Sequence, residues 1–316
     1  MKILLTGGCG YTGTVLTNRL LDDGHVVDVL DAQWFGNHLS DHENLTVLNQ
    51  DVRDTDKISL EGVDVVLHLA NVANDPSVDL EPTLSWEINV LSTMRLADKA
   101  VRSGVKQFIF ASSGSVYGVK DEDQVTEDLE LIPISVYNKT KMVAERVLLS
   151  YSDKMQVHSI RPATVCGTSP RMRLDVAVNL LTMAALDKGE ITVLGGDQTR
   201  PNIHIDDLID VYTHFIANPD IASGNYNAGF ENISILDIAE LVKTKVEANV
   251  VIKPSNDPRS YRLNSDKLLA TGFSPKRSVG LAIDEIAAGY RAGVIKDDVS
   301  CYNVRKMKEL ILQNLI

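Results

Sequence analysis

The first half of the chain alternates short apolar, β-branched runs with segments whose apolar residues recur every three or four positions. Nearly continuous apolar runs are typical of parallel strands that are covered on both faces. They predict strands over 2–6, 26–31, 45–49, 64–70, 106–113 and 157–162. The segments between them predict helices with one apolar face, formed by Val15, Leu16, Leu20 and Leu21, by Leu84, Ile88 and Leu91, and by Val143, Val147 and Tyr151. This alternation predicts the α/β class with a doubly wound parallel sheet.

The regular alternation ends after about residue 165. Glycine and proline interrupt shorter elements from there on, at Gly195, Gly196, Pro201, Pro219, Gly224, Gly229, Pro254, Pro258 and Pro275. We therefore predict one domain over 1–167 and a smaller, mixed α/β domain over 168–316, from which some segments return to the first.

The last 14 residues predict an amphipathic helix. Val304, Met307, Leu310, Ile311 and Asn314 fall on one helical face. This face either packs on its own chain or contacts a partner or second subunit.

The net charge of the chain limits the kinds of partner that it is expected to bind. The 316 residues include 31 basic and 43 acidic side chains, a net charge of −12. Nucleic acid and anionic membrane surfaces need clustered positive charge, so neither is an expected partner.

Cys9, Cys166 and Cys301 are far apart and form no CxxC, which predicts free thiols in a reducing compartment. With no apolar run near the roughly 18 residues of a membrane span, we expect a cytoplasmic protein.

A glycine motif follows the first predicted strand. TGGCGYTG places Gly7, Gly10 and Gly13 in a GxxGxxG spacing that leads into a helix. Such glycines permit a tight turn and a close backbone approach to a pyrophosphate at the positive end of the helix, which predicts a Rossmann-type dinucleotide site. Asp31 ends the second strand, where a carboxylate accepts ribose hydroxyls and repels a 2′-phosphate. Since residues 32–35 contain no lysine or arginine, NAD is favoured over NADP.

Candidate acid–base groups come from two later segments. YNKTK puts Tyr137 and Lys141 four residues apart, on one face of a predicted helix. A nearby ammonium and the positive nicotinamide ring both favour the phenolate and pull its pKa toward neutrality. The segment SSGSVYG, 112–118, leaves the carboxyl end of the fifth strand, where a serine hydroxyl can hydrogen-bond a substrate oxygen.

Taken in this order, the motifs resemble the extended short-chain dehydrogenases/reductases, in the nucleotide-sugar epimerase/dehydratase family. The resemblance spans nearly the whole chain and includes DVRD (51–54), HLAN (68–71), INVLSTMRL (88–96), RPATVCG (161–167) and GGDQTRPNIHIDDL (195–208). The run SPRMRLDVAVNLL (169–181) is similar to that of a subset of enzymes that oxidise C4 of a nucleotide sugar.

The resemblance implies roles for individual residues. The catalytic residues would be Ser113, Tyr137 and Lys141. NAD, bound by the first domain, would contact Gly7, Gly10, Tyr11, Thr12, Gly13, Asp31, Asp51, Val52, Leu69, Ala70, Asn89, Tyr137 and Lys141. The nucleoside-diphosphate sugar, held mainly by the second domain, would contact Ser113, Thr164, Asn179, Arg200 and Arg259, with Arg262 as the alternative to Arg259. The resemblance also implies a homodimer through helices at 82–103 and 137–151.

Departures from the family pattern narrow the reaction. Where 4,6-dehydratases carry Thr-Asp-Glu, this chain has Ser113-Gly114-Ser115, which lacks the acid and base for elimination of water. We therefore expect an NAD-dependent nucleoside-diphosphate-sugar 4-epimerase. The alternatives are a 4-dehydrogenase or keto-sugar reductase of the same fold, then a 4,6-dehydratase, then a non-catalytic NAD-binding protein. Thr164 and Cys166 also replace the usual asparagine and tyrosine, and Cys166 is expected to line the substrate cavity.

The histidines are not expected to bind metal. His38 and His42 have the spacing of a helical metal site, but Gly36 and its neighbours predict a loop there. His68 and His204 are expected to be structural. No metal is predicted.

Overall fold

The central sheet of the computed structural model, which describes residues 1–255 and 260–316, has seven strands that all run parallel. Their order is β10-β6-β5-β4-β1-β2-β3. The strands are β1 (Lys2–Thr6), β2 (Val26–Asp31), β3 (Leu45–Asn49), β4 (Val65–His68), β5 (Gln107–Ala111), β6 (Gln156–Pro162) and β10 (Gly224–Ala228). The predicted fold class is confirmed, and the six predicted strands are observed within two residues at each end.

Helices flank this sheet and the smaller second region. They are α1 (Tyr11–Asp22), α2 (Asp75–Val78), α3 (Pro82–Trp86), α4 (Ser92–Arg102), α5 (Val136–Leu149), α6 (Ala177–Lys188), α7 (Ile205–Ala217), α8 (Ile235–Lys243), α9 (Asp266–Leu269), α10 (Val279–Arg291) and α11 (Asn303–Leu312). Short 3₁₀ turns lie at Thr55–Lys57, Gly114–Tyr117 and Val299–Cys301. None of the helices in the described residues combines the length and the apolar character needed to cross a bilayer.

The central strands are buried because each face of the sheet packs against its own layer of helices. Leu5 contributes to a core with Leu16 and Leu20 of α1. Leu4, whose side chain points to the opposite face, contributes to a second core with Phe108 and Leu96. This two-sided burial explains why the strands are almost continuously apolar in the sequence.

A π-helical turn at Glu87–Leu91 joins α3 to α4 and changes the apolar register. Leu84 and Ile88 are buried as predicted, but Leu91 is exposed. The predicted face was therefore wrong at Leu91, because a π turn adds a residue and rotates the following side chains around the helix.

The second half contains two smaller sheets. One has the order β11-β9-β7, from β7 (Thr164–Cys166), β9 (Thr199–His204) and β11 (Glu231–Ser234). The other pairs β8 (Glu190–Leu194) with β12 (Asn249–Lys253) in parallel. In contrast, β10 joins the central sheet beside β6.

The terminal helix α11 packs on its own chain. Met307 is buried in the core that contains Leu4 and Phe108, and Leu310 is also buried. Of the two interpretations of the amphipathic face, packing on the same chain is confirmed. Asn314 was wrongly included in that face, since α11 ends at Leu312 and Asn314 is exposed.

Candidate active site

The carboxyl ends of the central strands open into a cleft of about 790 Å³. This is the edge where open parallel sheets bind their ligands, and the volume is usual for a small-molecule site. The cleft wall brings together most of the residues predicted from the sequence: Gly7, Gly10, Tyr11, Thr12, Gly13, Asp31, Asp51, Val52, Leu69, Ala70, Ser113, Tyr137, Lys141, Thr164 and Arg200.

The glycine loop leaves space for a phosphate at the start of α1. Gly7 has φ +75°, and a Cβ at Gly13 would collide with the Gly7 carbonyl oxygen, so both positions require glycine. Gly10 is the N-cap of α1, and no side chain caps the helix. The first-turn N–H groups therefore have no partner within the helix and face a cleft that suits an anion.

Two carboxylates lie on the side of the cleft where the sequence predicts the adenosine half of a dinucleotide. Asp31 accepts hydrogen bonds from the backbone N–H groups of Cys9 at 3.0 Å and Gln33 at 2.7 Å, which fixes its position. Its burial raises the pKa of this carboxyl. Asp51 is held by Arg53 at 2.8 Å, beside the buried Val52. Fixed acceptors beside a phosphate cradle are the groups that the ribose hydroxyls of a dinucleotide require.

Two predicted contact residues lie behind the cleft wall instead of on it. The Asn89 amide accepts from the N–H of Val72 at 2.8 Å and donates to its carbonyl oxygen at 3.2 Å. Asn179 donates to the Tyr11 hydroxyl at 3.1 Å and accepts from the N–H of Gly167 at 3.1 Å. Both amides are therefore used within the protein, and the predicted ligand contacts of the two residues stay predictions.

The predicted catalytic groups meet where β5 and α5 face each other. Tyr137 stands in the first turn of α5, which Ser135 caps, and Lys141 follows one turn later. Lys141 donates from Nζ to the Ala111 carbonyl oxygen at 2.7 Å, with Nζ 5.9 Å from the centre of the Tyr137 ring. Ser113 hydrogen-bonds the Tyr137 side chain and also contacts the Ser115 hydroxyl at 2.8 Å.

Burial governs the proton affinity of both groups. It raises the pKa of Tyr137 to about 12, opposed by the hydrogen bond from Ser113. It lowers the pKa of Lys141 to about 7, opposed by the negative charge of Glu145. Lys141 is not one of the main groups that shift the pKa of Tyr137 in this structure, and its Nζ is directed to the Ala111 carbonyl oxygen. The expected effects of the lysine and of the nicotinamide ring on the tyrosine stay predictions.

Two charged residues that the sequence did not single out flank Tyr137. Asp75 accepts a hydrogen bond from the Ser135 hydroxyl at 2.5 Å, and its charge raises the pKa of Tyr137. Arg173 acts in the opposite direction and is paired with Asp175 at 2.8 Å. In the sequence, the run SPRMRLD contains Arg173 and could have indicated it, whereas no motif included Asp75.

Replacing Asp75 with Asn is expected to move the acidic limb of the activity profile to lower pH, by about one unit. Removing the negative charge lowers the pKa of Tyr137, so the phenolate forms at a lower pH. The measurement is kcat/KM against pH for wild type and Asp75→Asn. An unchanged or upward-shifted limb would show that Asp75 does not act on Tyr137.

Some predicted residues are not in the cleft. Cys166 is buried among apolar side chains of the second region and donates to the Ile203 carbonyl oxygen, so its expected place in the substrate cavity is wrong. Arg259 lies outside the described residues, and its alternative Arg262 is exposed and not part of the wall.

The histidines have structural partners. His68 bonds Thr6 at 2.6 Å and Thr93 at 2.9 Å, and burial lowers its pKa to about 3. His204 bonds Glu285 at 3.2 Å. Within residues 1–255 and 260–316, no group of three His, Cys, Asp or Glu side chains could hold a metal ion.

Comparison with known proteins agrees with this geometry. A family model described as the NAD dependent epimerase/dehydratase family matches residues 3–229. The chain is 28% identical to a UDP-glucose 4-epimerase of Lactobacillus helveticus, over 91% of this chain and 95% of that enzyme. It is 30% identical to UDP-glucuronic acid decarboxylase 1 of Danio rerio, over 87% of this chain and 69% of that enzyme.

A solved structure extends the comparison to a bound complex. The UDP-glucuronic acid 4-epimerase from Bacillus cereus, in complex with UDP-glucuronic acid and NAD, superposes with a TM-score of 0.80 at 25% identity. The match covers 92% of this chain and 99% of that one. The family and this complex together confirm NAD as the cofactor, whereas the relatives differ in the reaction that they are named for.

Proposed function

Since the chain belongs to the NAD dependent epimerase/dehydratase family, we propose that it interconverts the two C4 epimers of a nucleoside-diphosphate sugar. The observation that carries the proposal is the meeting of Ser113, Tyr137 and Lys141 in one cleft, next to a turn without a carboxylate. The names of the relatives support UDP-sugars as the first substrates to test.

Tyr137, Ser113 and Lys141 have different roles in the proposed reaction. The chemistry that bound NAD supplies is reversible acceptance of hydride from C4. Tyr137, as phenolate, takes the proton of the C4 hydroxyl, and Ser113 donates a hydrogen bond to the same oxygen. When the opposite epimer forms, Tyr137 returns its proton to that oxygen. Lys141 holds the nicotinamide ribose and stands behind the tyrosine.

The cleft favours this outcome over dehydration. Elimination of water next to the C4 ketone needs an acid and a base close to C5 and C6. The turn after β5 provides Ser113, Gly114 and Ser115, whose only side-chain groups are hydroxyls. A 4-dehydrogenase or keto-sugar reductase would use the same groups, since these reactions differ only in whether the keto sugar leaves.

Product analysis separates these reactions. Purified protein is examined by absorbance for retained NAD(H) and is then given UDP-, GDP-, TDP- and CDP-sugars, including UDP-glucuronic acid, while NMR follows the products. A C4 epimer without net NADH supports the proposal. A keto product with equimolar NADH identifies a dehydrogenase, and loss of C6 as carbon dioxide identifies a decarboxylase; either result refutes the 4-epimerase.

Arg200 is proposed to bind a phosphate of the substrate. It lies on β9 and lines the cleft on the side of the second region. Arg200→Ala is expected to weaken nucleotide-sugar binding about tenfold or more, the effect of one charge-assisted hydrogen bond, and to leave NAD binding unchanged. Calorimetry with UDP and with NAD tests this. Equal losses for both ligands would indicate a role in folding.

We further propose a homodimer through α3, α4 and α5. Trp86, Leu91 and Met94 are large apolar residues exposed on the 82–102 segment, as expected for a face that a second copy covers. Light scattering at micromolar concentration is expected to give twice the chain mass of 34.7 kDa. A monomer would contradict the proposal, and Met94→Glu is expected to shift the dimer toward monomer.

A further inference from the structure

Arg171 occupies an unusual position in the cleft wall. It follows β7, in the second half of the chain, and is only 3% exposed although it lines the cleft. Its Nη2 donates to Oδ1 of Asn303 at 2.7 Å, and its guanidinium lies 4.0 Å from the centre of the Phe35 ring. Its Nε is buried and has no hydrogen-bond partner among the described residues.

The surroundings of Arg171 leave its charge incompletely compensated. Burial lowers the pKa of its guanidinium to about 10, and the nearby Arg173 acts in the same direction. The negative charges of Asp31 and Asp175 raise the pKa of Arg171, but neither carboxylate forms an ion pair with it. A buried donor without an acceptor is costly, so a cationic donor in a cleft wall indicates a ligand that brings an oxygen.

The position along the cleft identifies which ligand this is. The guanidinium stacks on Phe35, four residues beyond Asp31, and both residues line the cleft together with Trp34. Asp31 is the acceptor for ribose hydroxyls at the end of β2. Arg171 therefore faces the adenosine half of the dinucleotide, away from the catalytic Tyr137.

The C-terminal helix holds Arg171 in this position. Asn303 is the first residue of α11 and is 4% exposed. Its side chain accepts from Arg171, and its backbone N–H donates to Oδ2 of Asp175 at 2.9 Å. Since Met307 anchors the same helix in the core of the first half, α11 connects Arg171 to the nucleotide-binding sheet.

We propose that the guanidinium of Arg171, oriented by Asn303, donates a hydrogen bond to an oxygen of the adenosine half of NAD, and that α11 is thereby part of the cofactor site. The second half of the chain then contributes directly to cofactor affinity, and not only to substrate binding. The inference depends on NAD binding and is independent of the reaction proposed above.

Binding measurements on the full chain, freed of nucleotide, test the proposal. Arg171→Met and Asn303→Ala are compared with wild type by calorimetry, with NAD, ADP-ribose and UDP as ligands. We expect NAD and ADP-ribose to bind about tenfold to a hundredfold more weakly, the range for a charge-assisted hydrogen bond, while UDP binds as in wild type. Arg291→Met and Lys308→Ala, on exposed positions of α10 and α11, are the matched controls.

The ligand pattern separates a binding role from a structural one. Equal weakening of NAD and UDP, or unchanged NAD affinity in Arg171→Met, would overturn the proposal. If Arg171→Met does not fold, Arg171→Lys keeps a positive charge without the planar guanidinium and is still expected to lose ADP-ribose affinity. Retained affinity in Arg171→Lys would then refute the role of the guanidinium. Product identity by NMR is a separate measurement, so a failed reaction assignment leaves this test intact.

Discussion

Tyr137→Phe is expected to lower turnover by about two to four orders of magnitude, the usual contribution of a positioned acid–base group. The substitution removes only the hydroxyl that is proposed to exchange the C4 proton, and it leaves the ring in place. KM for the nucleotide sugar and Kd for NAD should change little, because neither phosphate site includes this hydroxyl. Steady-state kinetics and calorimetry measure the two effects separately.

Tyr151→Phe is the matched control for this experiment. Tyr151 lies just beyond the end of α5 and is not part of the cleft wall. Its loss of a hydroxyl should leave turnover unchanged. Near-normal turnover in Tyr137→Phe would remove the tyrosine from the mechanism.

Arg161→Met is expected to lower the free energy of unfolding by about 3–5 kcal/mol, the cost of leaving a buried charge unpaired. Arg161 on β6 and Glu145 on α5 are each 1% exposed. Two hydrogen bonds join them, from Nε at 2.9 Å and from Nη2 at 2.7 Å. Glu145 also accepts from the Ser112 hydroxyl, next to Ser113. Urea denaturation followed by circular dichroism measures the loss.

Two variants show whether the effect comes from the unpaired charge. Arg161→Met combined with Glu145→Gln removes both charges and should recover part of the stability. Arg102→Met breaks an exposed pair with Asp98 and should cost less than about 1 kcal/mol. If the double variant were as unstable as Arg161→Met, lost packing would explain the effect instead.

This buried pair also explains how the proposed catalytic groups keep their positions. Glu145 lies one turn after Lys141 on α5 and is tied to Ser112 at the end of β5. Arg161 extends the network to the Tyr117 hydroxyl at 2.7 Å, which in turn donates to Asn227 at 2.8 Å. The strand that leads to Ser113 and the helix that carries Tyr137 are therefore linked to each other and to β10.

The sequence by itself determined the features that depend on local physics. Parallel strands buried on both faces require apolar runs, so all six strands of the first half could be predicted. Gly7, Gly10 and Gly13 reflect a backbone turn that tolerates few other side chains. Tyr137 and Lys141 share a helical face through their spacing alone, and Asp31 follows from its place at the end of β2. These patterns also carried the family resemblance.

Only the tertiary structure decided which of these groups face the ligands. Asn179 fits a family pattern, but the fold directs its amide to Tyr11 and Gly167. Arg171 and Asn303 are 132 residues apart in the chain and meet in the cleft wall. Such contacts arise where loops and terminal helices pack on the sheet, which no local periodicity encodes. The pKa of Tyr137 follows the same rule, because its burial, which raises this pKa, depends on how the surrounding segments pack.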